Sequence, residues 1–286
     1  MESIELKNVT KRYKDFALSD VSFSVPKGSI MGLIGENGAG KTTTIKLILN
    51  MIKRDAGSIR VLGMDNLECE REIKSQLGVV LDRSSFNEQL KLKDVATIMR
   101  AIFQKSWDDA LFSNYVRKFQ LPQDRKIKAF SRGMVMKLSI ATAFSHHPKL
   151  LIMDEATSGL DPIIRNELLD EFLDFIQDEE HSILISSHIT SDLEKVADYI
   201  TFIHDGKVAL SASKDTLLYE YGVLKCGEEL FFAIEKEDIA GYRKSSFGYE
   251  ALVPDREKAA RKYEGAVIDS ATLEDIMLFT VKGEQK

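Results

Sequence analysis

A glycine-rich segment at residues 35–42 has the residue types that bind a polyphosphate. It matches the P-loop pattern G-x-x-x-x-G-K-[ST], in which small residues let successive backbone N–H groups point into one concavity. Lys41 would offer a positive charge to the outer phosphates, and the Thr42 hydroxyl would ligate Mg²⁺. An incidental glycine-rich turn is the alternative. The candidate nucleotide-binding residues here are Gly35, Glu36, Asn37, Gly38, Ala39, Gly40, Lys41, Thr42 and Thr43.

Two acids, Asp154 and Glu155, follow an apolar run at residues 150–153. The run predicts a buried strand, and ligands collect beyond the carboxyl ends of strands in open α/β sheets. On a chain that carries a P-loop, Asp154 is placed to hold Mg²⁺ and Glu155 to polarise an attacking water. The alternative is a strand that ends in an exposed acidic turn. Together the two segments predict one phosphoryl-transfer site.

Suitable strands and helices flank both segments. Residues 29–34 predict a buried strand before the P-loop, and residues 43–52 have the spacing of a helix with one apolar face. Apolar runs at 76–81 and 182–186 predict further buried strands, and the helical patterns between them favour parallel strands with helical crossovers. Residues 200–211 are typical of a hairpin with Asp-Gly at its turn. The sequence therefore predicts an α/β fold with a mostly parallel core sheet.

The composition argues against several other classes of protein. The 286 residues include 39 Lys+Arg and 45 Asp+Glu, a formal net charge of −6, so no nucleic-acid partner bound through bulk positive charge is expected. With 44% hydrophobic residues the chain is not of the intrinsically disordered class. No apolar run is long enough for a spanning helix, and the first residues do not form a signal-peptide pattern. Cys69 and Cys226 lie outside any paired spacing and are expected to be free thiols, with one disulfide as the alternative.

The pattern changes near residue 214 and predicts a small α+β appendix. Residues 229–234 and 250–253 could be strands, and 254–263 predict a helix with Pro and acids in its first turn. Thr272 to Asp275 match a capping box before an apolar face. We therefore predict a main domain at 1–214 and an accessory domain at 215–286.

The order of the motifs resembles one known family. Along the chain they are the P-loop, a helical insertion, Phe130-Ser-Arg-Gly-Met134, Leu150-Leu-Ile-Met-Asp-Glu155, Ser158-Gly-Leu-Asp161 and Ser187-His188. Over roughly residues 1–213 this order resembles the ATP-binding subunit of an ABC transporter, in particular of bacterial ABC-2-type exporters of peptides or antibiotics. The resemblance implies a P-loop NTPase that uses ATP and Mg²⁺. It also implies an antiparallel β subdomain and a helical subdomain at about 84–146.

The resemblance assigns roles to single residues. Tyr13 is similar to the aromatic residue that stacks on adenine, with an aromatic of the strand core as the alternative. His188 resembles the switch histidine that hydrogen-bonds the γ-phosphate region, which makes it a catalytic candidate beside Glu155; an ordinary histidine is the alternative. Asp161 resembles a residue of the loop that couples the two sites of a dimer. It could equally cap a helix ahead of Pro162, and both roles can hold.

The chain departs from the usual family signature, Leu-Ser-Gly-Gly-Gln. Here Arg132 and Met134 replace the third and fifth residues, whereas Ser131 and Gly133 are kept. In the family these two contact the γ-phosphate bound to the other subunit, a task suited to a helix N-terminus. The alternative for Ser131 is an ordinary helix cap.

A second departure is Asp82, which stands near the place of a glutamine that senses Mg²⁺ in the family. An aspartate could ligate Mg²⁺ directly, so Asp82 joins Thr42 and Asp154 as a candidate metal ligand; an exposed loop acid is the alternative. The loop at 83–87 beside it resembles the surface on which the coupling helix of a transmembrane partner rests.

The resemblance predicts an ATPase that powers a separate transmembrane permease. Two copies of the chain, or the chain and a related ATPase subunit, would sandwich ATP between them at the cytoplasmic face of the membrane, and hydrolysis would open the dimer. The expected process is export of a peptide, antibiotic or lipid-like cargo. One alternative is a soluble ATPase of the same family that acts on ribosomes or DNA, and another is a nucleotide-binding regulator with little turnover.

Overall fold

The architecture is α/β and is built on three β-sheets. The computed structural model describes residues 2–82, 86–246 and 248–283. Its strands are β1 (Glu2–Arg12), β2 (Ala17–Pro26), β3 (Ile30–Ile34), β4 (Ala56–Val61), β5 (Met64–Asp65), β6 (Leu77–Val80), β7 (Leu150–Asp154), β8 (Ser182–Ser187), β9 (Tyr199–His204), β10 (Lys207–Ser213), β11 (Gly222–Cys226), β12 (Gly241–Ser245), β13 (Gly248–Val253) and β14 (Val267–Ser270). Its α-helices are α1 (Lys41–Ile48), α2 (Glu70–Ser75), α3 (Leu92–Phe103), α4 (Asp109–Lys118), α5 (Arg132–Phe144), α6 (Pro162–Phe175), α7 (Thr190–Val196), α8 (Lys214–Tyr219), α9 (Glu228–Ala233), α10 (Arg256–Lys262) and α11 (Leu273–Lys282). Short 3-10 turns occupy Gln104–Ser106, Ile127–Ala129 and Lys236–Asp238.

The central sheet has the strand order β10-β9-β3-β8-β7-β6 and is parallel except for the β9–β10 pair. Strands β3, β7 and β8 are buried along their whole length, as expected for apolar strands covered on both faces. Parallel strands end at the same edge of a sheet. The P-loop after β3, the acids at the end of β7 and the segment after β8 therefore meet there. The predictions of parallel strands with helical crossovers and of a hairpin at Asp205-Gly206 are confirmed.

A second, antiparallel sheet of strands β2-β1-β4-β5 packs over α1. The predicted helical region lies between β6 and β7, where α3, α4 and α5 share a buried apolar cluster with the central sheet. The helix predicted at 43–52 begins at Lys41 and ends earlier, at Ile48. No helix in the described part of the chain is long and apolar enough to cross a membrane.

The last four strands form a third, antiparallel sheet in the order β12-β13-β11-β14. Helices α9 and α10 cover one face, where Leu224, Phe231 and Tyr263 meet, and α11 on the other face packs against α7 and the main core. The helix expected at 254–263 and the capping box at Thr272 are both present. The domain boundary at 214/215 stays a prediction.

The strand predicted at 229–234 is wrong, because residues 228–233 form α9. Glu228 and Glu229 occupy the first turn of this helix, where acids favour the positive end of the helix dipole. Phe231 is buried while Phe232 is 65% exposed, which suits a short surface helix. A brief apolar run cannot by itself distinguish a strand from a helix.

Candidate active site

The P-loop joins the buried end of β3 to the first turn of α1. Gly40, the residue before the helix, has φ 117°, and a Cβ there would lie 2.6 Å from Leu18 Cδ2, so only glycine fits this position. The described α1 has no side-chain cap at its N-terminus. Its first backbone N–H groups therefore face the loop, where the helix dipole favours an anion.

Lys41 is the cation of this site. Its side chain is almost fully buried, and its Nζ donates hydrogen bonds to the Gly35 carbonyl at 2.7 Å and to the Glu36 carbonyl at 3.2 Å. The same Nζ lies 3.3 Å from Oε1 of Glu155. The lysine thus connects the P-loop to the acid at the end of β7, as the sequence predicts for a single phosphoryl-transfer site.

Asp154 and Glu155 are held differently by the neighbouring strand β8. Oδ1 of the buried Asp154 accepts a 2.6 Å hydrogen bond from Ser186 Oγ, and the backbone N–H of Glu155 donates to the same Oγ at 3.1 Å. Glu155 has φ 53°, a strained value for a residue with a Cβ, and such strain clusters at functional sites. The turn points its carboxylate away from the strand and toward the P-loop cation.

His188 completes the group that the structure brings together. Its Nδ1 lies 2.6 Å from Oε2 of Glu155, while Oε1 of the same carboxylate faces Lys41. The Glu155 carboxylate therefore lies between a P-loop cation and an imidazole, only 15% exposed. In that position it can accept a proton from a water molecule.

Two residues that the sequence did not single out support this site. Ser186 pairs with Asp154 in the register of β7 and β8. His204 Nδ1 lies 2.8 Å from Oε1 of Glu36, and the Gly206 N–H donates to the Ala39 carbonyl at 3.0 Å, so the β9–β10 turn braces the P-loop. Strand register is the signal that identifies Ser186 and His204. It pairs Ser186 with Asp154 directly, and extending the Ile34–Phe202 pair by two residues places His204 beside Glu36.

Carboxylate and hydroxyl oxygens are the donor set that Mg²⁺ prefers. Asp154 and Thr42 offer these donors at one edge of the sheet, so the residues present fit a Mg²⁺ ion. Glu36, His204 and Asp205 also bring ligand atoms together. Here, however, His204 turns Nδ1 to Glu36 and Nε2 to Asp205, at 2.8 and 3.6 Å. One ion cannot take both ring nitrogens, so we interpret this cluster as hydrogen bonding.

The helix-cap alternatives for Ser131 and Asp161 are both present in the structure. Ser131 Oγ accepts from the N–H of Met134 at 3.2 Å, and Asp161 Oδ1 accepts from the N–H groups of Ile163 and Ile164 at 3.1 Å. These residues begin α5 and α6, whose first turns touch: a Cβ on Gly133 would lie 2.7 Å from Ile164 Cδ1. Capping does not compete with phosphate contact, since the remaining N–H groups of each first turn still point outward.

Asp82 and Tyr13 lie at the margins of the site. Asp82 Oδ1 accepts a 2.8 Å hydrogen bond from Arg132 Nη2, so two residues that depart from the family pattern contact each other. Tyr13 is 48% exposed, with its ring offset from Phe16 and with Lys11 Nζ 5.7 Å from its centroid. Tyr13 is therefore not a core aromatic, and its ring offers an accessible face for stacking. Within the loop at 83–87, residues 83–85 lie outside the described part of the chain.

Comparison with known proteins gives one consistent family. A family model described as ABC transporter matches residues 18–158. The chain is 35% identical over 214 residues to the lantibiotic transport ATP-binding protein SrtF of Streptococcus pyogenes, which covers 74% of this chain and 91% of SrtF. It is 28% identical over 263 residues to the ABC transporter ATP-binding protein YtrB of Bacillus subtilis, which covers 91% of this chain and 89% of YtrB.

A solved structure described as the ATP-binding subunit of an ABC transporter aligns with a TM-score of 0.67 and 28% identity, over 75% of this chain and 91% of its own. The P-loop ATPase fold predicted from the sequence is thereby confirmed. These similarities do not favour the alternative of an ATPase that acts on ribosomes or DNA.

Proposed function

The chain belongs to the ATP-binding proteins of ABC transporters, and we propose that it hydrolyses Mg-ATP at the site of Lys41, Asp154 and Glu155 to drive a separate permease. The observation that carries the proposal is the position of the Glu155 carboxylate, 3.3 Å from Lys41 Nζ and 2.6 Å from His188 Nδ1. A carboxylate in that place lies beside the cation that binds the phosphates and can accept a proton from the water that attacks the γ-phosphate.

Each group has a distinct task in hydrolysis. Lys41 and the N-terminus of α1 neutralise the phosphate oxygens, and Tyr13 stacks on the adenine ring. Thr42 and Asp154 would hold Mg²⁺, which when bound neutralises charge on the outer phosphates. Asp82, the third candidate ligand from the sequence, accepts a hydrogen bond from Arg132 instead. Glu155 takes a proton as the water oxygen bonds to the γ-phosphorus and the bond to the β-phosphate oxygen breaks. His188 fixes the orientation of Glu155 and contacts the γ-phosphate region.

Two subunits are needed to enclose each nucleotide. Ser131 and Gly133 start α5, and the outward N–H groups of that turn suit a phosphate presented by a second copy of this chain or by a related ATPase subunit. Asp161, in the next helix start, couples the two sites. ATP touches both subunits only in the closed dimer, so its binding favours closure and its hydrolysis allows opening.

A groove beside β6 is the proposed docking surface for the permease. We call it the β6 groove; it lies between β6, α3 and α5, has a volume of about 380 Å³, and its lining includes Met51, Val79, Phe86, Met99, Phe103 and His146. Met51 and Val79 are 53% and 37% exposed, so the groove offers apolar surface to a partner. An amphipathic helix of a membrane partner places its apolar face in such a groove.

The cargo is proposed from the relatives alone. SrtF is named as a lantibiotic transport protein. We therefore propose export of a peptide, an antibiotic or a lipid-like molecule, with the chain bound to its permease at the cytoplasmic face of the membrane.

The substitution Glu155→Gln tests the function. It keeps the shape of the side chain but removes the base, so we expect turnover of ATP to fall at least about 100-fold. The variant should also form an ATP-dependent dimer by size-exclusion chromatography, because the bound nucleotide is no longer cut. Glu72→Gln, on the surface of α2, is the matched control. Equal turnover in wild type and Glu155→Gln would overturn the role of Glu155, and a wild type without turnover would favour a nucleotide-binding regulator.

A further inference from the structure

Arg132 occupies a position that joins three segments of the candidate site. Its Nη2 donates to Asp82 Oδ1 at 2.8 Å, which links the first turn of α5 to the segment after β6. On its other side the guanidinium packs on Gly159: a Cβ built on that glycine would lie 2.4 Å from Arg132 Nη1. Gly159 has φ 68°, so its conformation and its lack of a side chain both make room for the arginine.

The three segments carry the residues that the proposed function uses. The first turn of α5 holds Ser131 and Gly133, and the segment from Glu155 to Asp161 runs from the proposed base to the cap of α6. A second arginine, Arg165, donates to the Leu160 carbonyl at 3.2 Å from the α6 side. The 155–161 segment is thus held between two guanidinium groups, and Arg132 is the one that also reaches the segment after β6.

The Arg132–Asp82 pair is poorly placed to stabilise the fold. The two side chains are 52% and 46% exposed, and ion pairs between such exposed groups contribute little to the free energy of unfolding. Arg132 departs from the family signature, and Asp82 departs from the glutamine that the family has near its position. Because Arg132 and Asp82 contact each other beside the first turn of α5, we interpret the pair as fixing the position of that turn.

We propose that Arg132 is a positioning residue for ATP hydrolysis. Its ion pair with Asp82 and its contact with Gly159 hold Ser131 and Gly133 in register with the 155–161 segment. The γ-phosphate of a nucleotide bound by the second subunit then meets α5 and that segment in one fixed arrangement. This inference rests on the proposed function, in which two subunits enclose each ATP.

A double-mutant cycle of Arg132→Ala and Asp82→Ala tests the proposal. We expect each single variant to lower kcat about 10-fold with the KM for ATP nearly unchanged, because a small misplacement of reacting groups costs rate more than binding. The double variant should be no slower than Arg132→Ala, since both changes break one contact. Exchange of the charges, Arg132→Asp with Asp82→Arg, should recover part of the lost rate. Arg100→Ala is the control. Arg100 and Asp109 form an ion pair that is equally exposed, with Nη2 and Oδ1 2.6 Å apart, and this pair lies outside the candidate site.

Gly159→Ala provides a second way to disturb the position of the Arg132 guanidinium. The new methyl group would push Arg132 aside, so the variant should resemble Arg132→Ala and add little in the Arg132→Ala background. Gly63→Ala controls for backbone strain, because Gly63 has φ 78° and a Cβ there would have nothing within 4 Å.

ATP-dependent dimer formation, measured in the Glu155→Gln background, should weaken with either Arg132→Ala or Gly159→Ala. The melting temperature without nucleotide should stay within about 2 °C of the parent's for Arg132→Ala.

Additive effects in the cycle would overturn the proposal, because they would mean that Asp82 acts through Mg²⁺ alone and Arg132 acts independently of it. A lowered melting temperature in Arg132→Ala with unchanged kcat would also overturn it in favour of a structural contact. These failures leave ATP turnover and the Glu155→Gln effect intact. Failure of the proposed function would instead appear as a wild type without turnover.

Discussion

Ser186 donates a hydrogen bond of 2.6 Å from its Oγ to Oδ1 of Asp154. The same Oγ accepts from the backbone N–H of Glu155, so one hydroxyl on β8 fixes both acids at the end of β7. Groups that hydrogen-bond to a metal ligand orient it and tune its affinity. A serine that no motif identifies is therefore part of the apparatus that positions the proposed Mg²⁺ ligand and the proposed base.

Ser186→Ala should weaken the response to Mg²⁺. We expect the Mg²⁺ concentration for half-maximal ATP turnover to rise about 10-fold, because Asp154 loses the donor that orients it. The measurement is ATP turnover titrated with Mg²⁺ at saturating ATP. Ser182→Ala is the matched control: Ser182 is buried at the other end of the same strand, where its Oγ bonds to Ser3 Oγ and to the Gly28 N–H. An equal Mg²⁺ shift in both variants would show that loss of strand packing, and not the Asp154 contact, is responsible.

His188→Ala should reduce the rate rather than the binding of ATP. The imidazole is within 2.6 Å of Glu155 Oε2, so its loss frees the base from the position in which it meets the attacking water. We expect kcat to fall about 100-fold and the dissociation constant of a fluorescent ATP analogue to change less than about 3-fold. His181→Ala is the control, because His181 stacks on Phe175 and bonds to its carbonyl outside the site. An unchanged kcat would remove His188 from the mechanism.

The sequence predicted the motif residues of the site but not the residues that hold them in place. The P-loop and Asp154-Glu155 are contiguous motifs, and His188 was assigned through the family resemblance, so all three could be proposed before any strand pairing was known. Ser186 and His204 act through neighbouring strands, and their partners appear only once the register of β7–β8 and β3–β9 is fixed. Long-range pairing is the information that a local pattern lacks.

The C-terminal sheet shows the same limit. Strand β14 is exposed at Val267, Asp269 and Ser270, and it lacks the alternation of apolar residues that indicates a half-buried strand. Its place is set by pairing with β11 and not by its own sequence. The capping box at Thr272 was predictable because its two hydrogen bonds involve residues only three apart.

Acidic substitutions in the β6 groove should separate the ATPase from its permease. Met51→Glu and Val79→Glu place a charge on the apolar surface where we expect the partner helix, and desolvating that charge opposes docking. Both positions are already partly exposed, so the fold should tolerate the change. We expect loss of co-purification with a co-expressed membrane permease, and ATP turnover of the isolated protein within twofold of wild type. Val267→Glu, at a position of β14 that is 61% exposed, is the control. Retained co-purification of Met51→Glu and Val79→Glu would place the permease elsewhere.

Asp238 links the stability of the C-terminal sheet to pH. Its carboxylate accepts hydrogen bonds from Lys258 and Lys262 at 2.7 Å and from Tyr263 at 2.5 Å, and these donors hold the pKa of Asp238 well below its usual 3.8. A lowered folded-state pKa gives stability that is fully present above pH 4 and is lost as the pH falls toward the folded value.

Asp238→Asn should therefore destabilise the C-terminal sheet by about 1–3 kcal/mol at pH 7 and by progressively less below pH 4, because the carboxylate of the wild type is then being protonated. Hydrogen exchange of residues 248–263 measures this local stability. The single tryptophan, Trp107, is buried in the helical region and its fluorescence gives an internal reference for the rest of the chain. Asp269→Asn is the control, because Asp269 forms an exposed pair with Lys225. It should leave hydrogen exchange unchanged at pH 7 and at pH 3. A difference between Asp238→Asn and wild type that stays constant from pH 7 to pH 3 would show that the network acts by packing and not through the charge of Asp238.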